Sequence, residues 1–175
     1  ILPPPIFDPK SGFPEIRAVI AAVTTALAAT RPARVVQLST IGAQASQSNL
    51  LSQQSLMEQA LRRLTTPVTI LRPAWFMENF AWDVAGARDD GVLKSFLQPL
   101  DRAIPMAATA DIAKTAADLL MRTWSKGRIV ELKSADVAPN GDAAFFAKLL
   151  GSDVNAQTVP RESWEQILRS QGTQN

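Results

Sequence analysis

Two runs of apolar, β-branched residues, Arg34-Val35-Val36-Gln37-Leu38-Ser39 and Val68-Thr69-Ile70-Leu71, each follow a stretch of helical periodicity, and that alternation leaves the chain few ways to fold. Ahead of the first run, Pro14 and Glu15 suit an opening helical turn. Ile16, Val19, Ile20, Val23 and Leu27 then recur at helical spacing, predicting a helix near 14–29 that Arg31-Pro32 breaks. Between the runs, Leu50, Met57, Ala60, Leu61 and Leu64 repeat the pattern over 49–64, and Pro67 separates that helix from the second strand. Strands that are apolar throughout are covered on both faces. The order helix, strand, helix, strand therefore predicts an α/β chain built on a parallel sheet with helical crossovers. Leu2-Pro3-Pro4 reads as the end of an earlier strand.

Past Arg72-Pro73 the texture changes. Trp75, Phe76, Phe80 and Trp82 crowd what reads as a short helix, and a loop-rich stretch with Gly86, Gly91, Pro99 and Pro105 follows, like an insertion over the sheet. Asp111 suits the N-cap of a helix carrying Ile112, Ala116, Leu119, Leu120 and Trp124, and Arg128-Ile129-Val130-Glu131-Leu132 reads as another strand. Asn140 is placed to cap a helix that ends near Leu150 with Gly151 as its stop. Gln157-Thr158-Val159 is extended, and Trp164, Ile167 and Leu168 mark a last helix.

Composition acts mainly by exclusion. With 46% hydrophobic and 19% charged residues in 175, a sizeable core is expected. There is no Cys, which removes disulfides and thiolate chemistry and fits a reducing, cytoplasmic setting; there is no His either, which removes the usual zinc sites and a histidine base. The net charge is only +2 and the basic residues are scattered, Arg62 and Arg63 being the closest pair, so nucleic acid is not an expected partner. No apolar run reaches membrane-spanning length, and no membrane partner is expected. The opening Ile1-Leu2-Pro3-Pro4-Pro5 is not a signal peptide, and without an initiator Met the chain reads as clipped.

Four separated segments together resemble the NmrA-like family of atypical short-chain dehydrogenases/reductases, near its NAD(P)-binding, quinone-reductase-like branch. They are Val35-Val36-Gln37-Leu38-Ser39-Thr40-Ile41-Gly42-Ala43, Ile70-Leu71-Arg72-Pro73-Ala74-Trp75-Phe76-Met77-Glu78-Asn79, Ile104-Pro105-Met106-Ala107-Ala108-Thr109-Ala110-Asp111-Ile112 and Val159-Pro160-Arg161-Glu162-Ser163-Trp164. The resemblance implies a partial doubly wound, Rossmann-like parallel sheet over 1–73, the C-terminal half of an NAD(P)-binding domain. An α+β substrate-side region over 74–175 would include a helix and strand returning to that sheet. It also implies that the N-terminal half of the family fold is absent. The glycine-rich phosphate turn of such proteins lets the backbone approach a pyrophosphate at a helix N-terminus, and no such motif occurs here, since Gly12, Gly42, Gly86 and Gly91 stand alone.

Ligands of open α/β sheets bind beyond the carboxyl ends of the strands. By the resemblance those ends are Leu2 and Pro3, then Ser39 and Thr40, then Arg72, Pro73, Ala74 and Phe76. The cofactor-binding candidates are accordingly Leu2, Pro3, Ser39, Thr40, Gln54, Pro73, Ala74 and Phe76, for NADP or NAD, with Phe76, Asn79 and Phe80 as substrate-binding candidates. Ser39 and Thr40 either present hydroxyls to a nicotinamide or substrate carbonyl, or form a turn that satisfies its own backbone. Ordinary short-chain reductases use a Tyr and a Lys four residues apart. This chain has no Tyr, and Gln54 stands where many NmrA-like members keep a Lys, so charge is replaced by a hydrogen-bonding amide and no catalytic residue is assigned.

Glu58, one turn further on, is either a pocket carboxylate or, as helix residues of this type more often are, exposed. Asn79 either orients a ligand or caps its local helix. The aromatic cluster either lines a quinone pocket or packs in the core, the commoner use of such spacing. Trp124 and Trp164 are assigned to packing; Arg72 either reaches a phosphate or, the preferred reading, pairs structurally at the surface. No metal site is expected.

The function expected is NAD(P)H-dependent reduction of a quinone or similar carbonyl acceptor, present here as a C-terminal fragment that is inactive alone. The alternative is a non-catalytic NAD(P)-binding redox sensor with a protein partner. A half sheet with uncovered apolar surface also predicts marginal stability or association.

Overall fold

The computed structural model describes residues 1–4 and 6–170; Pro5 of the proline-rich opening lies outside them. The chain divides into two compact units. Unit 1 comprises Ile1–Ala74 and Ala110–Leu132, and unit 2 comprises Trp75–Thr109 and residues from Lys133 onward.

In unit 1, α1 (Pro14–Thr30), β1 (Val35–Leu38), α2 (Ser52–Leu61) and β2 (Val68–Pro73) follow one another in the order read from the sequence. Helix α1 ends on Arg31 in a left-handed conformation, its N–H bonded to the Leu27 carbonyl, and Pro32 prevents continuation. The sheet has the order β1-β2-β6, where β6 is Arg128–Leu132, and both pairings are parallel, with Val35 opposite Val68 and Ile70 opposite Ile129. Strand β2 is buried along its whole length, as the central strand of a parallel sheet must be. Ile16, Val35, Met57, Leu61, Val68 and Ile70 form the core between α1, α2 and the sheet.

No strand forms at Leu2-Pro3, yet Ile1 donates to the Val36 carbonyl at 2.6 Å and accepts from the Leu38 N–H at 2.9 Å. That is the bonding of one rung of a parallel ladder opposite Gln37. Gly127 is required where the chain enters β6, because a Cβ there would stand 2.3 Å from the Val68 carbonyl oxygen.

Unit 2 departs from the sequence reading. The aromatic segment is not one helix but a two-residue strand, β3 (Trp75–Phe76), followed by a 3-10 turn, Met77–Asp83, and a short helix, α3 (Val84–Asp89). The stretch read as loop contains β4 (Val92–Ser95) and β5 (Ile104–Ala107). Strand β5 pairs parallel with β3 and antiparallel with β7 (Ala135–Val137), and β4 pairs parallel with β8 (Asn155–Thr158). Ala87, Leu93, Ala143, Phe146 and Val154 form this unit's core, joined by Phe80.

Two caps are also corrected. Helix α4 (Thr109–Met121) begins at Thr109, so Asp111 lies inside its first turn. The Thr109 N–H and hydroxyl instead donate to the Glu78 carboxylate at 2.8 and 2.5 Å, and these bonds hold Glu78 below the usual carboxylate range. Helix α5 (Pro139–Leu150) is preceded by Ala138, which leaves Asn140 inside the helix with its amide on Asp101 at 2.5 Å; the stop at Gly151 (φ +68°) is as read. A final helix, α6 (Trp164–Ser170), follows the 3-10 turn Arg161–Ser163. Both remaining tryptophans pack, Trp124 under the Arg34 guanidinium and Trp164 edge-on to Phe96 at 5.6 Å.

Candidate functional site

Strand β1 ends where the chain turns sharply over Thr40–Ala43, with Gly42 at φ +84° supplying a conformation other residues resist. The turn is fastened to the end of β2: Ser39 N–H donates to the Leu71 carbonyl at 2.7 Å and Ile41 N–H to the Pro73 carbonyl at 3.0 Å. Ser39, Thr40, Pro73 and Ala74 are thereby brought together at the carboxyl end of the sheet. Ser39, Pro73 and Ala74 are buried, and Thr40 is half-buried.

The Thr40 hydroxyl donates to the Ile41 carbonyl at 3.1 Å, so at this residue the turn does satisfy its own backbone. Ser39 does not behave this way. Its hydroxyl donates to Glu58 Oε1 at 2.5 Å, and the same carboxylate receives Arg72 Nε at 2.9 Å and Nη2 at 2.6 Å. Glu58 and Arg72 are 4% and 7% exposed, so Glu58 is not the exposed helix residue that was expected and Arg72 pairs in the interior rather than at the surface. Glu131 adds a longer, solvent-facing contact to Arg72 at 3.8 Å. Hydrogen bonding to Glu58 pushes the Arg72 guanidinium further up from its ordinary value, against the opposing effect of burial.

A buried bidentate pair of this kind fixes geometry. The consequence for Ser39 is directional, because its proton is committed to Glu58 and only its lone pairs remain for a ligand.

Gln54 stands one turn before Glu58 on α2, and its Oε1 is buried with no hydrogen-bond partner among the described residues. Helix α2 is tied to the turn after β1 by the Ser55 hydroxyl, which donates to the Ala43 carbonyl. Pro3 is buried, whereas Leu2 is 75% exposed.

In unit 2, Phe76, Asn79 and Phe80 line one cavity of about 600 Å³, together with Trp75, Trp82 and Asp83. That volume lies within the range of small-molecule sites. Only Phe80 also joins the core. Trp75 and Trp82 are 41% and 77% exposed, so core packing does not describe them. Asn79 lies within the 3-10 turn rather than capping a helix.

Sequence reasoning named Glu58 but favoured an exposed position for it, and it missed the pair Asp83 and Asp142. Asp142, on α5, is 8% exposed and its Oδ2 lacks a partner; burial, aided by Asp83, pushes it up to about 6, and burial also raises Asp83. No group of acidic residues suited to a metal ion occurs among the described residues. Nor is any described helix long and apolar enough to cross a membrane.

The profile of the NmrA-like family matches residues 33–175. The chain belongs to this family. No curated protein matches it. Among solved structures it is similar to the NADPH-dependent quinone oxidoreductase of Escherichia coli complexed with NADPH, at 25% identity and a TM-score of 0.77 over 94% of this chain and 57% of that one.

The NADP(H) complex of triphenylmethane reductase from Citrobacter sp. gives 16% identity and 0.76 over 100% of this chain and 60% of that one. A nucleoside-diphosphate-sugar epimerase from Staphylococcus aureus gives 16% and 0.73 over 95% and 58%. These last two bear on the fold alone, which is the α/β, Rossmann-like parallel architecture expected. The chain thus spans under two thirds of the length of each.

Proposed function

We propose that these residues serve an NAD(P)H-dependent oxidoreductase of the atypical short-chain type that reduces a quinone or similar carbonyl acceptor. The observation that carries this reading is the Ser39 hydroxyl oxygen at the carboxyl end of the unit 1 sheet, oriented by Glu58 and Arg72; Gln54 Oε1, one helical turn before Glu58, is a second acceptor without a partner among the described residues. Acceptors of this kind suit an amide NH2 or ribose hydroxyls, the donors that a nicotinamide nucleoside offers, so the residues present fit NADP or NAD. Within unit 1, Thr40, Pro73, Ala74 and Pro3 would form the surrounding wall, with Leu2 at its margin. Phe76, Asn79 and Phe80 would meet the acceptor in the unit 2 cavity.

When bound, the cofactor supplies the hydride, and the protein holds and orients it. The 175 residues contain no glycine-rich phosphate turn, so the proposal requires one outside them. A cytoplasmic location belongs to the same proposal and rests on the absence of Cys.

A second reading, a nucleotide-dependent sensor acting on a protein partner, is favoured by one specific feature. The chain has no Tyr, and both hydroxyl protons at the site are already held, that of Ser39 by Glu58 and that of Thr40 by the Ile41 carbonyl, so no side chain there is poised to protonate a product. NADPH consumption with a panel of quinones, measured on the whole protein containing these residues, separates the two. Turnover in which Ser39→Ala raises KM for NADPH several-fold supports the reductase, and NADPH binding without turnover supports the sensor. Absence of binding overturns both.

A further inference from the structure

The unit 2 cavity carries a charge pattern that the reading above does not use. Its wall includes Asp83 and Asp90 together with Trp75 and Trp82, both exposed. Asp142 on α5, almost fully buried and not part of that wall, interacts with Asp83. No ion pair or side-chain hydrogen bond reaches the carboxylate of Asp83 or of Asp142 among the described residues, and the one lining cation, Lys94, is exposed and forms no ion pair. Burial raises Asp83, and burial with Asp83 beside it raises Asp142, as expected where negative charge is desolvated without a counterion. Unit 1 shows the contrasting treatment, since its buried Glu58 has a guanidinium on both oxygens. The remaining polar lining does not change the sign: the Ser95 hydroxyl is engaged with Leu97, and Asn79 is neutral.

We propose that this cavity selects flat aromatic ligands bearing a positive charge, with Asp83 as the residue that determines the preference. The electron-rich faces of Trp75 and Trp82 attract a cation in their own right, and a delocalised aromatic cation adds stacking area to that attraction. Its charge is the missing partner of Asp83 and relieves the field of the neighbouring Asp142, whereas an anionic aromatic of the same shape would meet the carboxylates of Asp83 and Asp90 with only the exposed Lys94 to oppose them. Neutral aromatics, quinones among them, lie between. The proposal concerns binding to unit 2 alone and stands or falls independently of the oxidoreductase reading, because it needs neither nucleotide nor turnover.

Three probes sharing one tricyclic skeleton test it by isothermal calorimetry at pH 7.5 and low salt: N-methylacridinium, acridine and acridine-9-carboxylate. The expected order is cation, neutral, anion, with about tenfold between the first two, a ratio within reach of one cation–aromatic contact plus one charge pair. Asp83→Asn reduces that ratio to about twofold while acridine binding changes little, and Trp82→Ala weakens all three probes. Should Asp83→Asn fail to fold, Asp90→Asn and a salt titration provide the same readout, both reducing the preference for the cation. Equal binding of the three probes, a preference that survives both aspartate substitutions and salt, or no binding of the cation overturns the proposal.

Discussion

Each unit of the chain buries a carboxylate, and the two are treated in opposite ways. Glu58 in unit 1 receives both nitrogens of an Arg72 fork and the Ser39 hydroxyl, so its charge is neutralised and its position fixed. Asp142 in unit 2 has an oxygen with no partner and a second carboxylate, Asp83, as its electrostatic neighbour. A paired buried charge holds a turn in place before any ligand arrives, whereas an unpaired one beside a cavity destabilises the empty fold and leaves an attraction for whatever can complete it.

The contrast is tested most severely by breaking the pair in unit 1. Arg72→Met leaves Glu58 buried without a cation and is expected to cost about 3–5 kcal/mol in denaturant unfolding. Adding Glu58→Leu should recover most of that loss, because removing both charges removes the desolvation penalty with them. A double variant no more stable than the single one would mean that the pair is needed for more than charge balance, and the comparison with Asp142 would fail.

The sequence carried the unit 1 architecture clearly because its signals are local. Helix α1, strand β1, strand β2 and strand β6 each have a periodic or apolar run bounded by Pro, Arg-Pro or a turn, and the parallel order follows from their succession. Strands β4 and β5 carried no such signal. Lys94 and Ser95 interrupt the first and Pro105 the second, and these short strands are held by partners distant in sequence, β8 and β7.

Glu58 was legible in principle. It is the only acidic residue between Glu15 and Glu78, while Arg72 ends a strand whose every residue is apolar or β-branched. A charged residue in such a strand needs a partner, and the chain offers one acid nearby. Asp83 and Asp142 had no comparable clue. Their proximity arises only once α5 packs into unit 2.

The unpaired carboxylate makes a prediction of definite sign. Asp142 rises from 3.8 to about 6 on folding, so its protonated form is favoured by the fold. The stability it contributes is fully present below about pH 4 and is lost as pH rises through about 6. The melting temperature of unit 2 should therefore fall between these values by more than its other carboxylates explain. Asp142→Asn should flatten the profile and melt higher at pH 7, and Asp83→Asn should do so to a smaller extent. A profile unchanged by Asp142→Asn would show that the carboxylate has found a partner, and the two units would then treat buried charge alike.

The smallest expected effect separates charge from polarity. Gln37 on β1 is fully buried on the sheet face that carries Val35, and neither atom of its amide has a hydrogen-bond partner among the described residues. Unit 1 thus leaves a neutral polar group unsatisfied although it pairs the carboxylate of Glu58. An unpaired buried amide costs roughly 1–3 kcal/mol, less than an unpaired ion, which is why such a group is tolerated. Gln37→Met keeps the volume and removes the donor and acceptor, so it should raise stability by about 1 kcal/mol in denaturant unfolding. If the substitution destabilises instead, the amide is bonded in the folded protein. The contrast between the units would then rest on the two buried carboxylates alone, Glu58 held by Arg72 and Asp142 facing Asp83 without a counterion.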